Sequence, residues 1–85
     1  MSKGKYDDAF KIAFEIEDSK LGSELKYESI QEWDSIGHMS LIAELEDKFD
    51  ISMEMDDIID FSSYDKGKEI LRKYKINLWK VFYTN

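Results

Sequence analysis

The chain has 85 residues, no cysteine, one histidine and a net charge of −7, a size that supports one small domain. Without cysteine it has no disulfide, thiolate nucleophile or thiolate metal site, and a single histidine excludes a multi-histidine zinc centre. No apolar run approaches the roughly 20 residues of a membrane span, and the first residues lack the apolar core of a secretory signal. The sequence therefore predicts one cytoplasmic domain over 1–85, with its core at about 5–74.

The charge is concentrated in the middle of the chain. Residues 24–65 carry thirteen acidic residues against two lysines, for a net charge of −11, whereas residues 66–85 carry six basic residues against one acidic residue. So acidic a segment would repel nucleic acid and anionic lipid, and it would attract proteins with basic patches. It is equally typical of a well-solvated surface, so composition alone leaves both interpretations open.

Apolar spacing predicts four helices in chain order. The first is expected at about residues 5–18, from the helical spacing of Tyr6, Ala9, Phe10, Ala13, Phe14 and Ile16. A long, partly anchored loop over 20–34 follows. The second helix is expected from Ser35 to about Phe49, with the apolar set Ile36, Met39, Leu41, Ile42, Leu45 and Phe49.

Two shorter helices complete the predicted fold. The third is expected over Met55 to Asp60, with Ile58 and Ile59 facing inward. Ser62 and Asp65 resemble a capping box at the start of a fourth helix, in which Gly67 costs about 1 kcal/mol relative to alanine. The inward face of that helix would be Tyr64, Ile70, Leu71 and Tyr74. The predicted fold class is all-α, a four-helix bundle with a long first loop.

Residues 75–85, KINLWKVFYTN, form an aromatic extension beyond this core. The side chains of Trp79, Phe82 and Tyr83 are too bulky for an exposed cluster to be usual on a monomer. They are expected either to pack back onto the bundle or to form a partner or self-association surface. Alternation of Ile76, Leu78, Val81 and Tyr83 also leaves a short strand open.

The stretch WDSIGHMSLIAELEDKFD, residues 33–50, holds the candidate site. Asp34 and Ser35 are both favoured helix N-caps, and capping alone would explain them. A serine in the first helical turn is also exposed, at the helix end that favours a negatively charged group such as a phosphate. The residues alone leave Ser35 as a cap, an attachment point or both.

Catalysis and metal binding are both disfavoured. His38 shares a helix face with Ser35, but no G-x-S-x-G elbow surrounds the serine and so small a domain has little room for a buried substrate pocket. The acidic residues at 47, 50, 54, 56 and 57 lack the order of an EF-hand loop. The sequence therefore predicts neither an enzyme nor a metal site.

The same stretch, continued through Ile51, resembles the sequence around the modified serine of acyl carrier proteins, in which Asp-Ser-Leu opens the second helix. The likeness extends through ELEDKFDI (44–51), the short acidic helix at 55–60 and FSSYDKGKEIL (61–71). It covers about residues 5–74. The resemblance implies the fold of that family, with a long loop between helices one and two and a short third helix.

The resemblance also implies a carrier rather than a catalyst. A separate, magnesium-dependent transferase would move a 4'-phosphopantetheine arm from coenzyme A to Ser35, and the arm would hold acyl or aminoacyl groups as thioesters. Asp34 is then the preceding acid, and Ile36 stands where the family usually has leucine. Met39 would be an apolar partner contact, and the acidic partner contacts would be Glu46, Asp47, Asp56 and Asp57.

The implied partners are the phosphopantetheinyl transferase and acyl-activating or acyl-transferring enzymes with basic docking patches, with no nucleic acid and the carrier itself a monomer. The alternative is an unmodified acidic interaction module of the same fold. Gly37 and Ser40 stand where many fatty-acid carriers have acidic residues, so the cargo and the pathway stay open. His38 is expected at the surface or in a partner contact, and Gly67 predicts a looser bundle or a roomier pocket.

Overall fold

The computed structural model describes residues 2–74. The expectations for residues 75–85 lie outside the described residues. The helices are α1 (Ser2–Phe14), α2 (Ser35–Phe49), α3 (Met55–Asp60) and α4 (Tyr64–Arg72), with a short 3₁₀ turn at Asp18–Lys20. Within residues 2–74 there is no β-strand. The predicted all-α fold class is confirmed for these residues, and the bounds predicted for the second and third helices are correct.

The first helix starts earlier than predicted, at Ser2 rather than near residue 5, and it also ends earlier. It ends at Phe14 rather than near residue 18, because Glu15 adopts a left-handed backbone conformation with φ of 57°, which a right-handed helix cannot continue through. The long connection from residue 15 to Asp34, called loop 1 below, starts at that residue. Ile16 lies beyond the helix yet still packs against the core.

Loop 1 is fastened to the connection between α3 and α4. Lys26 and Ser63 form an isolated antiparallel bridge. The amide of Tyr27 donates to the carbonyl of Ser62, and the amide of Tyr64 donates to the carbonyl of Leu25. Each of these hydrogen bonds is 2.9 Å long. The bridge gives the middle of loop 1 a fixed position beside the start of α4.

The cap of α4 is Ser63, not the predicted Ser62. The Ser63 hydroxyl accepts the amide of Lys66 at 2.9 Å, which satisfies one of the free donors at the helix start. The Ser62 carbonyl is committed to the bridge instead. The predicted inward face of α4 is otherwise correct, since Tyr64, Ile70 and Leu71 are buried and Tyr74 packs against the core.

The core is rich in aromatic side chains, and it is formed by α1, α2 and α4 together with the loops that connect the helices. Trp33, from the end of loop 1, is fully buried, and its ring lies against those of Phe10, Phe14 and Phe61. The apolar pattern of the sequence predicts no role for Trp33, because a tryptophan in a loop belongs to no helical repeat. The buried apolar residues are Tyr6, Ala9, Phe10, Phe14, Leu25, Trp33, Leu41, Ile42, Leu45, Met53, Phe61, Tyr64, Ile70 and Leu71.

Gly67 lies at a tightly packed point of the core. A Cβ built on it would lie 2.2 Å from Phe61 Cζ and 2.4 Å from Tyr6 Oη. The two aromatic rings therefore occupy the space that a side chain at this position would need. The expectation of a looser bundle or a roomier pocket at Gly67 is wrong.

Candidate functional site

Ser35 is exposed at the first residue of α2. The cap of this helix is Asp34, whose Oδ1 accepts the amide of Gly37 at 2.8 Å. No hydrogen bond between described residues engages the Ser35 hydroxyl. Asp34 therefore caps the helix, and Ser35 is not needed as a cap and has an exposed side chain.

The first turn of α2 lies directly under the backbone of loop 1. A Cβ on Gly37 would lie 1.9 Å from the carbonyl oxygen of Glu32 and 3.3 Å from Phe14 Cε1. Only glycine allows the loop to cross the helix this closely. A larger side chain would therefore not fit at this position.

An apolar cleft of about 400 Å³ opens beside Ser35. It lies between α2 and α3 and is closed at one side by loop 1. The residues that line it are Tyr27, Ser35, His38, Met39, Met55, Ile58, Ile59, Phe61 and Ser62. Most of these side chains are apolar, and the Ser35 hydroxyl stands at the edge, so a group attached there could turn into the cleft.

Large apolar side chains are exposed around the same serine. Met39, Met55 and Ile59 are 54%, 68% and 69% exposed and line the cleft, and Ile36, the residue after Ser35, is 81% exposed. The prediction that Ile59 faces inward is therefore wrong, while Ile58 does pack against the core. Clustered exposed apolar side chains of this kind are typical of a binding surface.

His38 is fixed within the protein rather than presented to a partner. Its Nδ1 accepts from Trp33 Nε1 at 2.9 Å, and its Nε2 lies 2.8 Å from the carbonyl oxygen of Ile58. Because an indole nitrogen only donates and a carbonyl only accepts, the ring carries its proton on Nε2. His38 links the end of loop 1 to α3, and neither nitrogen is left to act as a base for Ser35.

Asp57, predicted from the sequence to be a partner contact, is engaged within the protein. Its side chain is buried, with Oδ1 2.5 Å from Lys73 Nζ and Oδ2 accepting from the Tyr74 hydroxyl at 2.6 Å. The Tyr74 oxygen in turn accepts the amide of Glu54 at 2.9 Å. This group, called the Asp57 anchor below, holds the residues after α4 against the start of α3.

The other three predicted acidic contacts differ from one another. Asp47 and Asp56 are exposed, as a docking surface requires. Glu46 is half-buried, and its Oε2 accepts the amide of Met53 at 2.9 Å. Glu46 therefore holds the connection between α2 and α3, and Asp47 and Asp56 are the carboxylates that remain available to a partner.

The Asp57 anchor predicts a specific pH dependence of stability. The hydrogen bond from Lys73, together with that from Tyr74, lowers the pKa of the Asp57 carboxyl below its usual value. A carboxyl group whose pKa is lowered in the folded state stabilises the fold at pH values above its unfolded-state pKa of about 3.9. This stabilisation is lost as the pH falls through the folded-state pKa. We expect the melting temperature of wild type to exceed that of Asp57→Asn at pH 6 to 7, and the gap to narrow below about pH 4.

The matched control for this experiment is Asp56→Asn, which removes an exposed carboxylate from the neighbouring position. Melting temperatures of all three proteins would be measured by circular dichroism across the same pH series. A gap between wild type and Asp57→Asn that stays constant from pH 7 to pH 3 would contradict the assignment of the anchor to an ionised Asp57.

Several cleft residues had no functional prediction from the sequence. The i, i+4 spacing of Met55 and Ile59 places both on one face of α3, which is a signal the sequence does contain. Tyr27 and Phe61 gave no such signal, because they come from loops whose positions depend on the bridge between them.

No protein-family model matches the chain, and neither the curated proteins nor the solved structures include a match. Within residues 2–74, no helix is long and apolar enough to cross a membrane. In the same part of the chain, no group of three or more histidine or acidic side chains is placed to hold a metal ion.

Proposed function

We propose that this chain is an acyl carrier protein whose Ser35 takes a 4'-phosphopantetheine arm. Its fold would be the four-helix bundle of that family, with the long loop 1 between the first two helices and the short α3. The observation that carries the proposal is the exposed, unused Ser35 hydroxyl at the start of α2, beside an apolar cleft. The likeness of residues 33–51 to the modified segment of acyl carriers supports the same conclusion.

The residues around Ser35 fit a phosphodiester. The amino end of α2 carries the positive end of the helix dipole, which favours a negative group there. The first turn of α2 contains no acidic residue. The nearest carboxylate, that of Asp34, is turned toward the amide of Gly37, which reduces its repulsion of a phosphate on the next residue.

Loading requires Ser35 to act only as an acceptor. Its hydroxyl oxygen would form the new bond to the phosphorus at the pantetheine end of coenzyme A, the bond from that phosphorus to the nucleotide half would break, and the hydroxyl proton would pass to a base of the transferase. His38 would take no part, because both of its ring nitrogens are engaged. When bound, the arm supplies a thiol on a flexible chain that holds an acyl or aminoacyl group as a thioester.

The surface beside Ser35 supports brief docking of partner enzymes. Ile36 and Met39 offer apolar contacts near Ser35. Asp47, about three helical turns further along α2, and Asp56, on α3, offer exposed charges for a basic patch. Exposed charges at the rim of an interface accelerate association more than they prolong the complex, and their effect weakens with salt. Such contacts suit a carrier that must visit a transferase and then acyl-activating or acyl-transferring enzymes in turn.

Intact-mass measurement tests the proposal directly. The chain would be incubated with coenzyme A, magnesium and a broad-specificity phosphopantetheinyl transferase. We expect wild type to gain the mass of one phosphopantetheinyl group and Ser35→Ala to gain none. Ser40→Ala is the matched control, because Ser40 is also an exposed serine of α2, and it is expected to be modified as wild type is.

Two results would overturn the carrier function. One is a folded wild-type chain that gains no arm, and the other is a Ser35→Ala variant that gains one as readily as wild type. The first result would leave the unmodified acidic interaction module as the function to pursue.

A further inference from the structure

The imidazole of His38 contacts each of the segments that wall the cleft. His38 itself belongs to α2 and lines the cleft. Its Nε2 lies 2.8 Å from the carbonyl oxygen of Ile58 in α3. The rings packed against it come from loop 1 and from the connection between α3 and α4, and they are those of Tyr27, Trp33 and Phe61. One side chain therefore joins loop 1, α2, α3 and this connection.

Two hydrogen bonds hold this junction together. Trp33 Nε1 donates to His38 Nδ1 over 2.9 Å, and His38 Nε2 donates to the carbonyl of Ile58. That carbonyl is one of the last four of α3, which have no partner within the helix. The two bonds, called the His38 link below, need a neutral imidazole with its proton on Nε2. They connect the residue before the cap of α2 to the end of α3.

Protonation of His38 would break one of these two bonds. The added proton goes to Nδ1, which then becomes a donor that faces the N–H of Trp33. An indole nitrogen cannot accept, so the fully buried Trp33 is left with an unpaired donor. The bond to Ile58 survives, because Nε2 still donates. Aromatic rings attract a cation, but that attraction does not give the indole a new acceptor.

The charged groups around His38 are not bonded to it. Tyr27 is the titratable residue in ring contact with the imidazole. The charged residues of loop 1 and α3 that flank its contacts are Lys26, Glu28, Glu32, Asp34, Asp56, Asp57 and Asp60, the first charged residue of α2 is Glu44, and the connection at 61–63 has none. Within residues 2–74, none of them forms an ion pair or a hydrogen bond with the imidazole. Asp34 and Asp57 are engaged in the cap of α2 and in the Asp57 anchor.

We propose that the His38 link is a proton-sensitive connection behind the cleft. With a neutral imidazole it holds loop 1 against α3, and with a second proton on Nδ1 it releases Trp33 and loosens this wall. Histidine is the side chain that changes its charge between about pH 5 and pH 8. The link itself does not depend on the proposed function of Ser35.

A pH titration of the ¹⁵N-labelled full chain by NMR tests the link. The range from about pH 8 to about pH 5 lies above that in which ordinary carboxyl groups titrate, at about 3.9–4.3, and the chain has one histidine. At the upper end we expect the imidazole to carry its proton on Nε2. As the pH falls, the Nε1–H signal of Trp33 is expected to move upfield with the same midpoint as the ring signals of His38, because the hydrogen bond is lost.

Two variants mimic the two states of the link. His38→Gln keeps one acceptor and one donor in its side-chain amide and takes no proton in this range, so its Trp33 Nε1–H signal is expected to stay in the bonded position throughout. His38→Phe keeps an aromatic ring without either group, and its signal is expected in the released position throughout. The methyl signal of Met53, which is buried in the core, reports that both variants are folded.

Hydrogen exchange measures whether the wall loosens. The amide of Glu28 donates to the carbonyl of Trp33 over 2.9 Å, so it reports how firmly Trp33 is held. At about pH 5.5 we expect this amide to exchange several-fold faster in wild type than in His38→Gln, and at about pH 8 equally fast in both. Comparing the two proteins at one pH removes the intrinsic pH dependence of exchange.

Three results would overturn the proposal. The first is a Trp33 Nε1–H signal that stays in place while His38 of wild type titrates. The second is a signal that moves as far in His38→Gln as in wild type, since another group would then cause the change. The third is equal exchange of the Glu28 amide in both proteins at about pH 5.5, which would show that the wall does not loosen.

A consequence for Ser35 rests on the proposed function. Trp33 directly precedes the Asp34–Ser35 pair, so a released Trp33 would present Ser35 less firmly to the transferase. The ratio of initial loading rates, wild type over His38→Gln, is expected to be near one at about pH 8 and to fall several-fold at about pH 5.5. The ratio cancels the pH dependence of the transferase itself. A constant ratio would overturn this consequence, whereas no loading of either protein would overturn the carrier function and leave the link to the NMR result.

Discussion

Replacing Gly37 by alanine is expected to lower the free energy of unfolding by about 2–3 kcal/mol, toward the upper end of the range for overpacking. The added Cβ would lie 1.9 Å from the carbonyl oxygen of Glu32. The carbonyl belongs to the backbone, and the position of the Cβ is fixed by the backbone, so a rotamer change cannot relieve the clash. Either loop 1 must move away from α2 or the first turn of the helix must open. Both changes disturb the turn that carries Ser35.

Thermal unfolding followed by circular dichroism measures this effect. For a domain of this size, 1 kcal/mol shifts the melting temperature by about 4–8 °C, so a decrease of about 10 °C or more is expected. Gly4→Ala is the matched control, because Gly4 is also helical and nothing lies within 4 Å of its added Cβ. If Gly37→Ala melts at the same temperature as Gly4→Ala, the close crossing of loop 1 over α2 is wrong.

Replacing Trp33 by alanine is expected to have the largest effect on stability, a loss of about 3–5 kcal/mol. The indole is fully buried against the rings of Phe10, Phe14 and Phe61. Its removal leaves a cavity that these rings can fill only in part. It also leaves His38 Nδ1, which is half-buried, without its donor, and an acceptor left unpaired there adds to the cost.

Urea denaturation with linear extrapolation gives the free energies for this comparison. Tyr27→Ala is the control, because Tyr27 is an aromatic residue of the same loop that is 39% exposed, and it is expected to cost about 1 kcal/mol. Since a small domain has only about 5–15 kcal/mol in total, Trp33→Phe serves as the milder variant and is expected to fall between the two. Equal losses for Trp33→Ala and Tyr27→Ala would contradict the central position of Trp33.

The elements that the sequence predicts best are those with a strong local signal. The second helix starts and ends where its cap and its apolar repeat place it, from Ser35 to Phe49. The third helix also has the predicted bounds. The end of α1 was missed because Glu15 takes a left-handed conformation that its residue type does not announce, since glycine and asparagine are the usual choices there.

Burial was harder to predict than helix position. In a helix of six residues such as α3, the apolar pair Ile58 and Ile59 suggested an inward face, yet Asp57 is the buried residue. Its burial depends on Lys73 and Tyr74, sixteen and seventeen residues away. No local pattern reports a partner at that distance, and the same is true of His38, whose two hydrogen bonds join separate elements.

One part of the candidate site could be predicted from the sequence, and the other part could not. The exposed serine at a capped helix start was predictable from three consecutive residues, Trp33 to Ser35, together with the helix that follows. The cleft beside it was not, because its lining comes from loop 1, α2, α3 and the connection to α4. Only the tertiary structure brings these segments together.

The bridge between Lys26 and Ser63 has a consequence for how the protein opens. It joins residues that are 37 positions apart in the chain, and closing so long a loop costs entropy that is recovered only once both ends are in place. In the unfolding direction, we expect the bridge amides of Tyr27 and Tyr64 to exchange with solvent together with those of α3 and α4. Phe61 and Tyr64 from this part of the chain pack against the ring of Phe10 in α1, so an opening that widens the cleft beside Ser35 also loosens the aromatic core.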